Sequence, residues 1–266
     1  MNVNTGNTNQ SNEVVNIYNQ CKKLSEQIIS KIQTKEFANG ESHYLNFLRN
    51  TLLAYNRFGR AIFMLLNKDD VYTSLIILRV VFELHVLHLY IRIDKRNRSK
   101  NYNEFVELDY IRLFEAIKEI NLNYRSEELK AVLDQMVEGT GLTLIEYREK
   151  NGKLRKKWSK NNTKQWCNDV DSYFGNEKYK LSDLYDTLYD YLSGYAHSGP
   201  SALLGGKFNN NLLLQTLDVR TIVNKYFSFS YDLYKIINEE FGLEFQNELS
   251  KYEMELVDSG ARVKII

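Results

Sequence analysis

Between Leu75 and Ile91 almost every residue is apolar or aromatic, yet the stretch carries Arg79, Glu83, His85 and His88. Residues four apart on a helix lie about 40° from each other, so Arg79 and Glu83 stack on one stripe. A helix that is apolar on the rest of its circumference is buried on most sides. Either ion buried alone costs several kcal/mol, so the two must pair with each other or with polar groups of a neighbouring helix. Arginine has five N–H donors, and a single glutamate cannot absorb them all. The sequence therefore predicts a further polar partner for Arg79 from elsewhere in the chain. One reading of the pair is an internal salt bridge that fixes helix register. The other is the floor of a pocket that holds a ligand or a catalytic group.

The second polar concentration is "LSGYAHSGP". His197 sits at the end of an aromatic helix, where the helix dipole favours the imidazolium and brings its titration near neutrality. Ser193, Tyr195 and Ser198 add hydroxyls, which makes this segment the expected partner of Arg79 and Glu83. The bland alternative is a C-capping histidine followed by a turn serine. His85 and His88 read as ordinary packing histidines. Glu83 precedes His88 by five, no Glu-x-x-His pair or HExxH occurs nearby, and no metal or other cofactor is expected.

These residues need helices to position them, and the apolar spacing supplies helices throughout. The expected elements are a helix from Glu13 to about Lys35, one from Ser42 to about Asn67, and a buried central helix at about 71–94 capped by Asp70. Gly59 within the second marks a close helix crossing. After a basic connector come helices at about 103–120 and from Ser126 to about Val137. Thr163 opens a short helix through Phe174, and Ser182 caps the next. A second long helix, nearly all apolar, is expected at about 218–240 with Asp218 as its cap. The fold class is all-α, a multi-helix bundle over residues 13–257. Residues 1–12 read as a disordered leader and 258–266 as a tail. Residues 139–162 form a basic surface excursion bearing Trp158 and Ser159, and 199–217 a Gly/Asn-rich loop.

Composition narrows the function classes. A net charge of +1 gives no global case for a polyanionic partner or an anionic membrane. Cys21 and Cys167 show no metal or redox spacing, which fits a reducing cytoplasm. The segment 73–91 is long enough to span a bilayer. Central Arg and Glu each cost roughly 2.5–3.5 kcal/mol on insertion scales, which brings the sum near zero, and burial in protein is the expectation instead. No phosphate-binding glycine loop, nucleophile elbow or zinc-deaminase pattern occurs.

The order "SLIILRVVFELHVLHLYI", "KKWS", "LYDTLYDYLSGYAHSGP" resembles the bacterial helical family DUF5677, over about residues 40–240. That resemblance carries over Arg79, Glu83, Trp158, Ser159, Ser193, Tyr195, His197 and Ser198 as the positions of interest, and supplies no chemistry. Related helical proteins look like members of phage-defence or toxin–antitoxin neighbourhoods, an association rather than a mechanism. The spacing from Arg79 to His85 also falls within the Arg-x4–6-His pattern of the HEPN ribonucleases. Six residues turn a helix by about 240°, however, so the two would not meet on one regular helix. Two functions are therefore expected. One is a metal-independent effector acting on RNA or a nucleotide, with His197 as acid/base, Arg79 on a phosphate, Glu83 orienting, and the tryptophan-bearing excursion contacting the ligand. The other is a non-enzymatic ligand-sensing or interaction module in which the Arg79–Glu83 pair is structural. A homodimer or a partner protein is the other association expected.

Overall fold

Asp70 opens the central helix as its sequence predicts. Its carboxylate accepts from the Thr73 amide at 3.0 Å and from the Thr73 hydroxyl at 2.8 Å, which satisfies donors that the first turn leaves unpaired. The computed structural model describes residues 7–34, 42–120, 126–140, 147–149, 154, 159, 161–175, 180–196 and 212–258. Their helices are α1 (Asn7–Thr34), α2 (Ser42–Leu66), α3 (Val71–Arg92), α4 (Lys95–Ile120), α5 (Ser126–Thr140), α6 (Thr163–Phe174), α7 (Leu181–Leu184), α8 (Asp190–Ala196), α9 (Leu212–Phe241) and α10 (Gln246–Asp258). A π-helical segment, Tyr185–Tyr189, joins α7 to α8. The fold is all-α, with no strand among the described residues.

The chain divides into two compact units, with the first turns of α2 in the second of them. The first takes in residues 1–37, 48–93 and 163–266; the second takes in 38–47 and 94–162. In the first, α3 packs chiefly on α9, with α6 and α8 along its other sides, while α1 lies on α9 and α10. From His85 to Ile91 α3 is buried without a break, whereas Arg79 and Val80 sit on a partly open side. By length and composition α3 could cross a membrane, but most of its apolar window is buried inside the protein.

Several expected boundaries move. The leader expected over residues 1–12 is already helical from Asn7, because α1 propagates cheaply into a polar stretch that holds no helix breaker. The expected basic connector is the opening of α4, with Asp94 accepting from the Asn97 amide at 3.2 Å. The loop expected over 199–217 gives way to α9 at Leu212, so Asp218 lies inside that helix rather than at its start. Ser182 does not cap its own helix. Asp171 of α6 does so instead, accepting from the amides of Leu181 at 2.7 Å and Ser182 at 2.9 Å and from the Ser182 hydroxyl at 2.7 Å. Replacing Asp171 with Ala leaves those amides unsatisfied and should cost about 1–2 kcal/mol in urea unfolding.

In the second unit α4 packs on α5, and Leu108 and Ile111 form a small apolar cluster. Leu154, in the middle of the expected surface excursion, is buried in that cluster at 2% exposure. The Tyr147 hydroxyl donates to Glu104 at 2.9 Å, and Arg148 pairs with Glu115 at 3.1 Å. At these points the excursion is anchored rather than free, since its one aliphatic side chain between Ile145 and Thr163 gains more from burial than from water.

Candidate functional site

The predicted pair forms: Arg79 Nε lies 3.2 Å from Glu83 Oε1. A further polar partner exists, but it is Tyr189, which precedes the segment expected to supply it. Arg79 Nη2 donates to the Tyr189 hydroxyl at 2.8 Å, and the guanidinium lies 4.8 Å from the centre of the same ring. The pair is not sealed. The Arg79 side chain is 15% exposed and that of Glu83 37%, so solvent reaches both. Burial raises the pKa of the Tyr189 hydroxyl, Arg79 opposes that rise and Glu83 adds to it.

Tyr189 comes to Arg79 through a local irregularity. It closes the π-helical segment, where the wide turn shifts the inward stripe relative to regular α spacing. The Thr187 hydroxyl donates to the Asp183 carbonyl at 2.9 Å, occupying an acceptor of the preceding turn. Tyr189 stacks on Tyr185 with centroids 4.4 Å apart, and Lys164 stands 5.9 Å from the Tyr185 ring while pairing with Asp186 at 2.5 Å. The result is a ladder in which two cations bracket two stacked tyrosines. Exposed Asp183, Asp186 and Asp190 border it.

The other expected positions divide. Ser193 lies one turn beyond Tyr189, with a buried hydroxyl that has no hydrogen-bond partner among the described residues. Ser159 accepts from the Asn161 amide at 3.1 Å in the second unit. Trp158, His197 and Ser198 lie outside the described residues, as does the side chain of Tyr195; His197 directly follows Ala196, the last residue of α8. Arg79 meets Tyr189, while His85 stacks on Phe229 at 4.7 Å.

Periodicity alone missed a second polar locus. His85 Nε2 lies 4.0 Å from Asp232 Oδ2, and both residues are buried, at 1% and 7% exposure. Neither imidazole nitrogen, nor Asp232 Oδ1, has a hydrogen-bond partner among the described residues. Burial drives both toward neutrality. It lowers His85 to about 3, helped by His88, and raises Asp232 to about 7 against the pull of Lys235 and Lys225. The two line a cavity of about 440 Å³ between α3, α6 and α9. The sequence held one clue: Asp232 is the sole acidic residue between Val219 and Asn238, in a helix otherwise read as apolar. No group of three or more metal-ligating side chains occurs among the described residues.

The fold and these clusters define an all-helical protein with an arginine–carboxylate–tyrosine site on a partly open helix face. The chain belongs to DUF5677, a family of unknown function that matches residues 45–211, more than half of its length. No curated protein and no solved structure matches it.

Proposed function

We propose that this protein is a helical effector of the phage-defence or toxin type, working in the cytoplasm on a nucleotide or a short piece of RNA at the Arg79–Glu83–Tyr189 cluster. The observation that carries this reading is a guanidinium oriented by two partners yet partly open to solvent, beside a stacked tyrosine pair. A planar guanidinium matches a phosphate, and aromatic faces hold a base by stacking. The π-helical turn that delivers Tyr189 is a form frequently found at functional sites. The bordering aspartates repel an extended polyanion, which favours a ligand with few phosphates. His197, one residue past α8, supplies the acid/base group, and Glu83 orients Arg79. The defence assignment rests on the resemblance of related helical proteins to such neighbourhoods.

Induced expression of the wild type should slow bacterial growth, with Arg79→Ala and His197→Ala each restoring it. Purified wild type should bind a nucleotide at least tenfold more tightly than Arg79→Ala, and Tyr189→Phe should fall between them. Equal, harmless growth of all strains together with equal nucleotide binding removes this reading. The alternative, a ligand-sensing module without turnover, is favoured by the cavity lined by the buried His85 and Asp232.

A further inference from the structure

The cavity makes a case that does not depend on the Arg79 cluster. His85 meets Asp232 and, two turns on, Arg92 meets Glu240, so α3 and α9 run parallel along it. Asp232 and Glu239 lie seven residues apart on one stripe of α9, about 10 Å along the axis. Leu89, Val170, Phe174, Leu181 and Ile236 supply apolar wall.

The charged side chains of this cavity are unequally occupied. Arg92 pairs with Glu240 at 2.5 Å and lies over the Phe174 ring at 5.0 Å. Both oxygens of Asp171 accept from residues at the start of α7. Asp232 differs: it is deeply buried, and although Lys235 lines the same cavity and acts on it through space, no lysine or arginine among the described residues lies within ion-pairing distance of it. A buried carboxylate in that position is costly unless a cation reaches it. The neighbouring imidazole, held neutral by its own burial, can accept a hydrogen bond at one nitrogen.

The 4.0 Å gap between His85 Nε2 and Asp232 Oδ2 is too wide for a direct hydrogen bond. A nitrogen placed about 2.8 Å from each subtends an angle of about 90°, near the angle between two N–H bonds of an ammonium. A water molecule fits the same gap but leaves Asp232 pushed by its burial toward the neutral acid, whereas an ammonium stabilises the carboxylate form. Charge therefore selects the ligand class.

We propose that this cavity is a binding site for a small organic amine, whose ammonium bridges His85 and Asp232 and whose hydrocarbon body lies along the apolar wall toward Glu239. The wall length suits an alkyl chain of about five carbons, and a second amine at the far end would reach Glu239.

Calorimetric titration of the full chain with n-pentylamine, 1,5-diaminopentane, 1-pentanol and pentanoate at fixed ionic strength tests the site. Saturable binding of the two amines, at least tenfold tighter than the alcohol, is expected, with no binding of pentanoate. Asp232→Asn should weaken amine binding at least tenfold while circular dichroism keeps the helical signal. Equal binding of alcohol and amine, or amine binding that Asp232→Asn leaves unchanged, overturns the proposal, and so does the absence of saturable amine binding. The wild-type comparison of amine with alcohol decides the matter even if the variant fails to fold. Nucleotide binding at Arg79 is unaffected by either result.

Discussion

Gly59→Ala should destabilise the protein by about 1–3 kcal/mol, although alanine is the better helix former by about 1 kcal/mol. A Cβ at this position of α2 overlaps the hydroxyl and Cζ of Tyr226 and stands 3.0 Å from Cε2 of Tyr18. Tyr226 cannot swing away, because it is fully buried, donates to the Tyr55 carbonyl at 3.2 Å and packs edge-on to Phe63. The three helices α1, α2 and α9 therefore converge on the one residue without a side chain. Urea unfolding measures the loss. In a Tyr226→Leu background the same substitution should cost far less or become stabilising, since the overlapping atoms are gone. A Gly59→Ala protein within 0.5 kcal/mol of wild type contradicts this account of the crossing.

The second large effect is a pair of opposed pH profiles at the cavity. In the folded protein His85 titrates at about 3, against 6.5 for an ordinary histidine, and Asp232 at about 7, against 3.8 for an ordinary aspartate. Between about pH 4 and 6.5 the unfolded pair carries one proton, on the histidine. The folded pair also carries one, whichever of the two residues holds it. The wild-type pair thus contributes almost no pH dependence in that window. Asp232→Asn removes the compensation. The folded state then binds fewer protons than the unfolded one, and stability rises with pH from about 3 to 6.5. His85→Gln does the reverse. The raised carboxylate makes the folded state the better proton binder, so stability is greatest near pH 4 and falls as pH climbs toward 7. Each slope approaches ~1 kcal/mol per pH unit. Lys225 and Lys235 on α9, His88 and Arg92 on α3, and Asp171 on α6 are retained in both variants. Differences between the two variants and wild type, from denaturant midpoints at pH 4, 5, 6 and 7, therefore isolate the pair. Parallel profiles for the two variants contradict it.

Much of the helix inventory was legible because burial imposes its period on sequence. The Arg79–Glu83 stripe, the Asp70 cap and the Gly59 crossing all follow from local spacing. The identity of Arg79's partner did not. Donor counting required a partner but pointed to the segment from Leu192 onward, whereas the partner is Tyr189, beside the buried Leu188 and Leu192. A π-helical turn changes which side chains share a face, and no hydrophobic count records it. Asp232 was hidden for the opposite reason. One carboxylate scarcely alters the apolar character of a long helix, and its significance depends on His85, 147 positions earlier in the chain. The starts of α4 and α9 were misplaced because polar residues can occupy helical turns when the rest of the helix is anchored by packing.

The wide turn at Tyr185–Tyr189 also bears on chain length. A π-helical turn accommodates one residue more than an α turn, so the segment behaves as a single-residue insertion stored within a continuous helix. Excision of Thr187 should let the backbone close into regular α geometry without unfolding its ends. Everything beyond the excision would then keep nearly its present facing relative to α7, because five residues in a π turn rotate the chain about as far as four in an α turn. A relative shorter by one residue at this point should therefore present its counterpart of Tyr189 to the arginine from a regular α-helix.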